Sequence, residues 1–282
     1  EKVKDLLEKT PWGWIIKGVN IVVGCRDFIK DSWGNKCGSG DNNGELKSSP
    51  IRSYDPNDKI GYRSPSGSTY FSADRKNFTY VINFENKALA TAPAQEIYIT
   101  DPLDLNSFDI NSFKAGYVKV GNKIVQAPFD AQEHTWKIDM RPEMNLMTEV
   151  QLTLDKITGN AKWYLKAIDP MTGTLPTDPF VGFLPPNDSD GSGQGSVSFS
   201  IDLKNNLADD ASVENKASIV FDYNEAILTP TWSNKKDVVA PTSSMFDAVF
   251  VNDSIATLRW QGTDNTGGSG VYGYNLFQKK GT

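Results

Sequence analysis

The acidic segment ahead of the strand-like part of the sequence is the clearest candidate for chemistry in this chain. In "SYDPNDKIG" (53–61), Asp55, Asn57 and Asp58 place oxygen-bearing side chains close together, around a proline that stiffens the backbone. Calcium binds about six to eight oxygen ligands, mostly carboxylates and carbonyls. These side chains cannot fill that shell alone, so a calcium site here requires ligands from elsewhere in the fold.

The order of the predicted strands indicates which loops supply the remaining ligands. If the strand after Asp58 is the first of a sandwich and the next, 77–84, runs back, then Glu85 lies near Asp58. The penultimate strand, 216–221, also runs toward this pole and ends in a second acidic turn. The predicted calcium ligands are therefore Asp55, Asn57, Asp58, Glu85, Asp222 and Asn224.

A simpler interpretation stays open for the same segment. Asp and Asn favour turns because their side chains bond to nearby backbone groups, so Asp55 would only cap the turn before a strand. Acidic side chains this close together repel one another unless a cation lies among them, which favours calcium. The arrangement is similar to the linker between cadherin modules, where an Asp-x-Asn-Asp segment shares calcium with loops of neighbouring modules.

Two further acidic segments are weaker candidates for ion binding. "NDSDGSGQG" (187–195) has the composition of an EF-hand loop but lacks the glutamate that such a loop carries after its glycine, so it predicts a flexible loop. The segment 100–109 is placed at the opposite pole by the same topology, and a solvated loop is the favoured interpretation. Its candidate ligands are Asp101, Asp104, Asn106 and Asp109.

The charge and the motifs argue against nucleic-acid binding and against the common enzyme classes. The formal net charge is −6, which is unfavourable for binding phosphates. The single histidine, His134, has no nucleophile motif such as Gly-x-Ser-x-Gly near it, so a Ser or Cys triad is not indicated. The glycine-rich segments lack the spacing of phosphate-binding or dinucleotide-binding loops. We therefore expect no catalytic activity.

Alternation of apolar residues predicts a mainly β protein. In "NFTYVINFEN" (77–86), every second residue is apolar and would face one side of a strand. Similar segments recur up to residue 232, separated by turns rich in Gly, Pro and Asp. About eight such strands predict an antiparallel β-sandwich of the immunoglobulin (Ig-like) type over 53–236. After a second linker, 237–282 predicts a partial fibronectin-like or Ig-like β-module.

The N-terminal region has a different composition. Residues 1–52 predict a short helical segment followed by a linker rich in Gly and Asn. Cys25 and Cys37 are the two cysteines, and they either form a disulfide that closes a short loop or are free thiols. The disulfide would favour an oxidising, extracellular setting. No run of about 18 apolar residues is present, so no transmembrane segment is predicted.

Three segments carry a resemblance to a known family. "FTYVINFENKALATAPAQEIYITDPLDLN" (78–106) joins a strand ending in an Asn-containing turn to a strand ending in Thr-Asp-x-Leu. "ENKASIVFDYNEAILTPTWSN" (214–234) looks like the closing strands of the same domain, and "SYDPNDK" looks like its opening segment. Together they resemble a conserved-repeat β-sandwich family from secreted and surface proteins of Bacteroidetes and related bacteria. The segment after residue 240 resembles the start of a fibronectin type III module.

The resemblance implies a β-sandwich building block of a large multi-domain protein at the bacterial cell surface, without catalytic activity. We therefore expect a structural stalk module whose linker is made rigid by calcium and whose partners are the neighbouring domains of the same polypeptide. The alternative is a module that binds a surface protein or a carbohydrate through exposed aromatic side chains. The candidates for such a platform are Trp136, Trp163 and Tyr164.

Overall fold

The computed structural model describes residues 57–64, 67–252 and 255–277. The predicted helical segment 1–52, with its two cysteines, and the predicted ligand Asp55 lie outside these ranges. Among the described residues the regular structure is all β, without a helix. The strands are β1 (Lys59–Ile60), β2 (Tyr70–Phe71), β3 (Asn77–Glu85), β4 (Glu96–Pro102), β5 (Phe108–Val120), β6 (Lys123–Gln126), β7 (His134–Asp139), β8 (Met147–Asp155), β9 (Asn160–Ile168), β10 (Gln194–Leu203), β11 (Ser212–Asn215), β12 (Ser218–Phe221), β13 (Ile227–Leu228), β14 (Trp232–Lys236), β15 (Thr242–Met245), β16 (Val249–Asn252), β17 (Ile255–Thr257) and β18 (Trp260–Thr263).

The described residues divide into two compact units. The sandwich unit comprises 57–62 and 74–235, and the second unit comprises 63–64, 67–73, 236–252 and 255–277. In the second unit, β15 pairs with β18 and β16 pairs with β17, both antiparallel. The assignment of residues 237–282 to a partial fibronectin-like module stays a prediction.

Two antiparallel sheets form the sandwich unit. One has five strands in the order β1-β3-β10-β5-β6, and the other has six in the order β13-β12-β4-β9-β8-β7. Strand β11 pairs with β14 beside them, with Asn215 opposite Trp232. The prediction of a mainly β protein is therefore confirmed for the described residues, and that of an antiparallel sandwich for the sandwich unit.

The alternation in β3 shows why the sequence forms these strands. Phe78, Tyr80, Ile82 and Phe84 occupy every second position and are all buried, whereas the residues between them are exposed or half-buried. Because successive side chains of a strand point to opposite faces of the sheet, a period of two places one set of side chains in the core. The predicted alternation of this strand is confirmed.

Aromatic side chains fill the space between the two sheets. Trp163 of β9 lies against Phe113 of β5 and Phe199 of β10, with ring centroids 6.4 and 5.7 Å apart. Phe199 stacks on Tyr80, with centroids 5.3 Å apart. Large rings buried in this way contribute much of the hydrophobic stabilisation of a sandwich. They also create the apolar surroundings of the polar cluster described next.

Candidate functional site

A lysine, an aspartate and an asparagine are buried together in the sandwich unit. The exposed fractions of Lys59, Asp101 and Asn215 are 1%, 0% and 3%. The Nζ atom of Lys59 donates a hydrogen bond to Oδ2 of Asp101, and both side chains are fully buried. Removing two such charges from water costs several kcal/mol per ion, so burial of this pair opposes folding unless the attraction between the charges offsets it. We call these three residues the Lys–Asp–Asn cluster.

Three different strands position the cluster. Asp101 follows Ile97 and Ile99 at every second position of β4, so its carboxyl group takes a place that the strand period assigns to an apolar side chain. Asn215 occupies the corresponding inward position two residues after Val213 in β11. Lys59 is the inward residue of β1 and is paired with Ile82 of β3. All three polar side chains therefore point into the core.

Aromatic rings surround the amine of Lys59. Its Nζ atom lies 5.0 Å from the centre of the Tyr80 ring and 5.4 Å from that of Phe199. Cation–π attraction stabilises a charged amine in this position by about 0.5–2 kcal/mol. This is less than the cost of burying the charge, so the net effect of burial is a shift toward the neutral amine.

Burial shifts both ionisable partners of the cluster toward their neutral forms. Burial lowers the pKa of Lys59 to about 8, although the Asp101 carboxylate opposes this change. Burial raises the pKa of Asp101, against the opposing effects of Lys59 and of the nearby Asn215 amide. The pKa of the Tyr80 hydroxyl is also raised, by burial and by the charge on Asp101. A neutral amine beside a protonated carboxylic acid is thus accessible in this core.

Several polar atoms of the cluster and of the neighbouring Tyr80 lack a hydrogen bond. Among the described residues, no partner of normal geometry exists for Oδ1 of Asp101, for Nδ2 and Oδ1 of Asn215, or for the hydroxyl of Tyr80. A buried polar group left in this state costs about 1–3 kcal/mol. The Asn215 amide is the most conspicuous case because both its donor and its acceptor are unpaired.

The sequence had assigned Asp101 to a solvated acidic loop, and that interpretation is wrong for this residue, because its side chain is buried in the ion pair. The neighbouring acids do form local turns. Asp104 accepts hydrogen bonds from the backbone N–H of Asn106 and from the hydroxyl of Ser107, at 2.9 and 2.6 Å. Asp109 accepts a bond from the backbone N–H two residues later. The alternation of Ile97, Ile99 and Asp101 was the signal that separates the buried acid from its neighbours.

The predicted calcium ligands near β1 make local hydrogen bonds. Asn57 is buried and accepts a bond from the backbone N–H of Glu85, with 3.4 Å between the heavy atoms. Asp58 accepts a bond from the backbone N–H of the next residue at 2.7 Å. The backbone N–H of Asn83 donates to the carbonyl of Asp58 at 2.8 Å. The structure therefore brings the start of β1 and the end of β3 together, as the topology predicted.

The two predicted calcium ligands from the second acidic turn, Asp222 and Asn224, have different surroundings. Asn224 lines a cavity of about 370 Å³ together with Glu85, so these two residues are at the same pole. Asp222 instead accepts hydrogen bonds from the backbone N–H groups of Gln95 and Glu96, at 3.0 and 2.9 Å. In the described part of the chain, no group of three or more His, Cys, Asp or Glu residues is arranged to hold a metal ion. The calcium site stays a prediction.

The aromatic candidates for a carbohydrate platform do not share one exposed surface. Trp136 and Trp163 are buried, with exposed fractions of 4% and 1%. Tyr164 is on the other face of β9 and stacks on Tyr98, with ring centroids 4.5 Å apart. The ring of His134 meets the edge of Trp136.

In the loop 187–195, the carboxylate of Asp188 accepts hydrogen bonds from two backbone N–H groups of its own turn.

The segment that follows β1 is fastened to the last strand of the sandwich unit. Asn234, which is fully buried, donates a hydrogen bond through Nδ2 to the carbonyl of Tyr62 at 2.9 Å. Its Oδ1 accepts a bond from Nε1 of Trp232 at 2.9 Å. Gly61 allows this approach, because a Cβ atom there would lie 2.6 Å from Nε1 of Trp232. We call these contacts the terminal clasp, since they join the incoming and outgoing segments of the unit.

Most of the residues that match a known family lie in the sandwich unit. The family model described as "Domain of unknown function (DUF7619)" matches residues 55–140 and 182–235. The chain is therefore similar to DUF7619 domains over these two segments, which make up just under half of its length. The matched segments contain all three residues of the Lys–Asp–Asn cluster and the whole terminal clasp. No curated protein sequence matches the chain.

Solved structures of bacterial surface proteins are distantly similar. A collagen-binding domain of a Staphylococcus aureus adhesin is 10% identical, with a TM-score of 0.34, 66% of this chain covered and 99% of that one. The C-terminal domain of the Streptococcus agalactiae AgI/II polypeptide BspA is 10% identical, with a TM-score of 0.36 and coverages of 69% and 54%. Domains D2 and D3 of the Corynebacterium diphtheriae pilin SpaD are 12% identical, with a TM-score of 0.28 and coverages of 60% and 47%.

The described residues include no helix that is long and apolar enough to cross a membrane.

Proposed function

We propose that this chain supplies a non-enzymatic structural module to a multi-domain extracellular protein at the bacterial cell surface. The observation that supports the proposal best is the terminal clasp. It joins the incoming segment at Tyr62 to the outgoing strand at Asn234 through a buried hydrogen bond. A pulling force applied to the two ends of the module would therefore act on these contacts first, and on the rest of the sandwich only after they break.

The distribution of aromatic and polar side chains supports a structural role over the carbohydrate-binding alternative. The tryptophans that would form a stacking platform, Trp136 and Trp163, are in the core. The acids at the ends of the strands are largely engaged in turns, as Asp104 and Asp222 illustrate. These residues therefore stabilise the fold, and the two tryptophans are not available for stacking on a sugar ring.

Single-molecule force measurements on the full chain, flanked by reference domains of known strength, test this proposal. We expect Asn234→Ala to lower the rupture force of the sandwich unit, because the substitution removes both hydrogen bonds of the terminal clasp. The matched control is Asn205→Ala, at an exposed turn, which should leave the rupture force unchanged. Equal rupture forces for wild type and Asn234→Ala would contradict the proposal, and so would specific binding of the wild-type chain on a glycan array.

Calcium binding at the start of β1 is a further part of the proposed function. The proximity of Asn57 to Glu85, and of Glu85 to Asn224, supports it. A ligand at a hundred times its dissociation constant adds about 2.7 kcal/mol to the free energy of unfolding. We therefore expect calcium, added after EDTA treatment, to raise the melting temperature of the wild-type chain by several degrees.

The variant Asp55→Asn/Asp58→Asn should lose this calcium response, because the carboxylates are removed while the side chains keep their size. Asp190→Asn, in an exposed turn, is the matched control and should keep the response. A wild-type chain whose melting temperature is the same in EDTA and in calcium would exclude a structural calcium site. The structural module itself would then stand on the terminal clasp alone.

A further inference from the structure

We propose that the sandwich unit forms an intramolecular amide bond between the side chains of Lys59 and Asn215, with Asp101 as the catalytic residue. The bond would be an isopeptide cross-link, made by the folded domain from its own residues. The inference does not rest on the proposed function. It rests on the positions, the burial and the unsatisfied atoms of the Lys–Asp–Asn cluster.

Asp101 interacts with both of the side chains that the amide bond would join. Asp101 accepts a hydrogen bond from the amine of Lys59, and the Asn215 amide is close enough to Asp101 to lower the pKa of its carboxyl group. One carboxyl group therefore contacts the nucleophile and lies beside the electrophile. Burial excludes water, which would otherwise compete for the amide carbon and hydrate the amine. Holding the reacting groups together in this way replaces a slow bimolecular reaction by an intramolecular one.

The reaction balances without any cofactor. The lone pair of Nζ of Lys59 attacks Cγ of Asn215, while Asp101 in its acid form hydrogen-bonds Oδ1 as negative charge develops there. Asp101 then transfers a proton from Nζ to Nδ2, the bond between Cγ and Nδ2 breaks, and ammonia leaves. One carbon–nitrogen bond forms and one breaks, so nothing is oxidised or reduced.

The core shifts Lys59 and Asp101 toward the protonation states that this reaction uses. A neutral amine is the nucleophile, and burial among Tyr80 and Phe199 lowers the pKa of Lys59 to about 8. A carboxyl group that moves protons is effective when its acid form is accessible, and burial raises the pKa of Asp101. The same apolar surroundings thus shift the pKa values of both groups in the direction that the reaction requires.

The unsatisfied amide indicates that Asn215, and not Asp101, is the acceptor of the bond. If Lys59 condensed with Asp101, water would leave, no carboxyl group would remain to move protons, and the amide of Asn215 would stay unpaired. If Lys59 condenses with Asn215, the unpaired Nδ2 atom departs as ammonia. The remaining carbonyl oxygen can accept a hydrogen bond from protonated Asp101, so two of the unpaired groups are resolved.

The intact mass of the full-length chain, measured after reduction of any disulfide, tests the proposal directly. We expect a mass lower by about 17 Da than the sequence requires, which corresponds to one ammonia. A tryptic digest should contain a branched peptide that joins the segments around Lys59 and Asn215. A loss of about 18 Da, with a branched peptide at Asp101, would overturn the assignment of the acceptor. An unchanged mass would overturn the whole proposal.

Variants separate the roles of the three residues. Lys59→Met, Asn215→Ala and Asp101→Ala should each show the full sequence mass, whereas Lys137→Met, at an exposed strand position, should keep the loss of ammonia. Circular dichroism identifies variants that do not fold, and for those the branched peptide of the wild-type chain decides the question. A folded Asp101→Ala chain that still loses ammonia would overturn the catalytic role of Asp101. Because the readout is mass alone, failure of the calcium or force experiments leaves this result unaffected.

Discussion

Asn215→Ala is expected to lower the free energy of unfolding by about 5 kcal/mol, because it removes the cross-link between Lys59 and Asn215. In the chain-entropy model, a bond that closes a loop of about 150 residues restricts the unfolded chain by about this amount. The direction of the effect is informative. Without a cross-link, replacing a buried amide that has no hydrogen-bond partner would be close to neutral, or would stabilise the fold.

Denaturant unfolding of the two chains measures this difference. The wild-type midpoint should lie well above that of Asn215→Ala, and Asn205→Ala, at an exposed turn, should unfold with the wild-type midpoint. Matching midpoints for wild type and Asn215→Ala would contradict a cross-link, whatever the structural role of the asparagine. The Asn215→Ala chain also provides a background without the bond, in which the ion pair can be studied alone.

Much of the sandwich could be predicted from the sequence, because its long strands alternate clearly. In β3 and β4 the period of two identifies the buried residues, and the turns between strands are marked by Gly, Pro and Asp. Strands β1 and β2 contain only two residues each, which is too few for a period to be read. Their positions depend on pairing with distant segments, and pairing is a property of the whole fold.

The candidate site was harder to predict for the same reason. Lys59 reads as a surface residue because it follows an acidic turn, and only its pairing with β3 turns it inward. Asp101 lies in a segment rich in acids, which hides its place in the alternation of β4. The topology did bring Asn57 and Glu85 together as predicted, yet Asp222 at the same pole serves to cap two backbone N–H groups. Residue types alone do not distinguish a capping carboxylate from a ligand.

In the Asn215→Ala background, Lys59→Met is expected to lower the free energy of unfolding by a further 3–5 kcal/mol or so, because it leaves Asp101 buried without its partner. Adding Asp101→Leu should restore most of this loss. An apolar pair of similar volume avoids the desolvation of both charges, and replacing both partners is often neutral or stabilising. Urea unfolding of the single, double and triple variants measures each step, and an exposed control, Lys137→Met, should have little effect.

The pH dependence identifies the unpaired carboxyl group as the cause. Burial raises the pKa of Asp101 in the folded chain, and loss of Lys59 removes the cation that opposes this shift. The folded state then binds more protons than the unfolded state at any pH between the two pKa values, so stability is greatest below the unfolded pKa and falls as the pH rises. In this pH range the free energy of unfolding of the Asn215→Ala/Lys59→Met chain should fall by up to about 1.4 kcal/mol per pH unit. The slope should disappear when Asp101→Leu is added, since no titrating group then remains in the cluster; a slope that persists would place the responsible acid elsewhere.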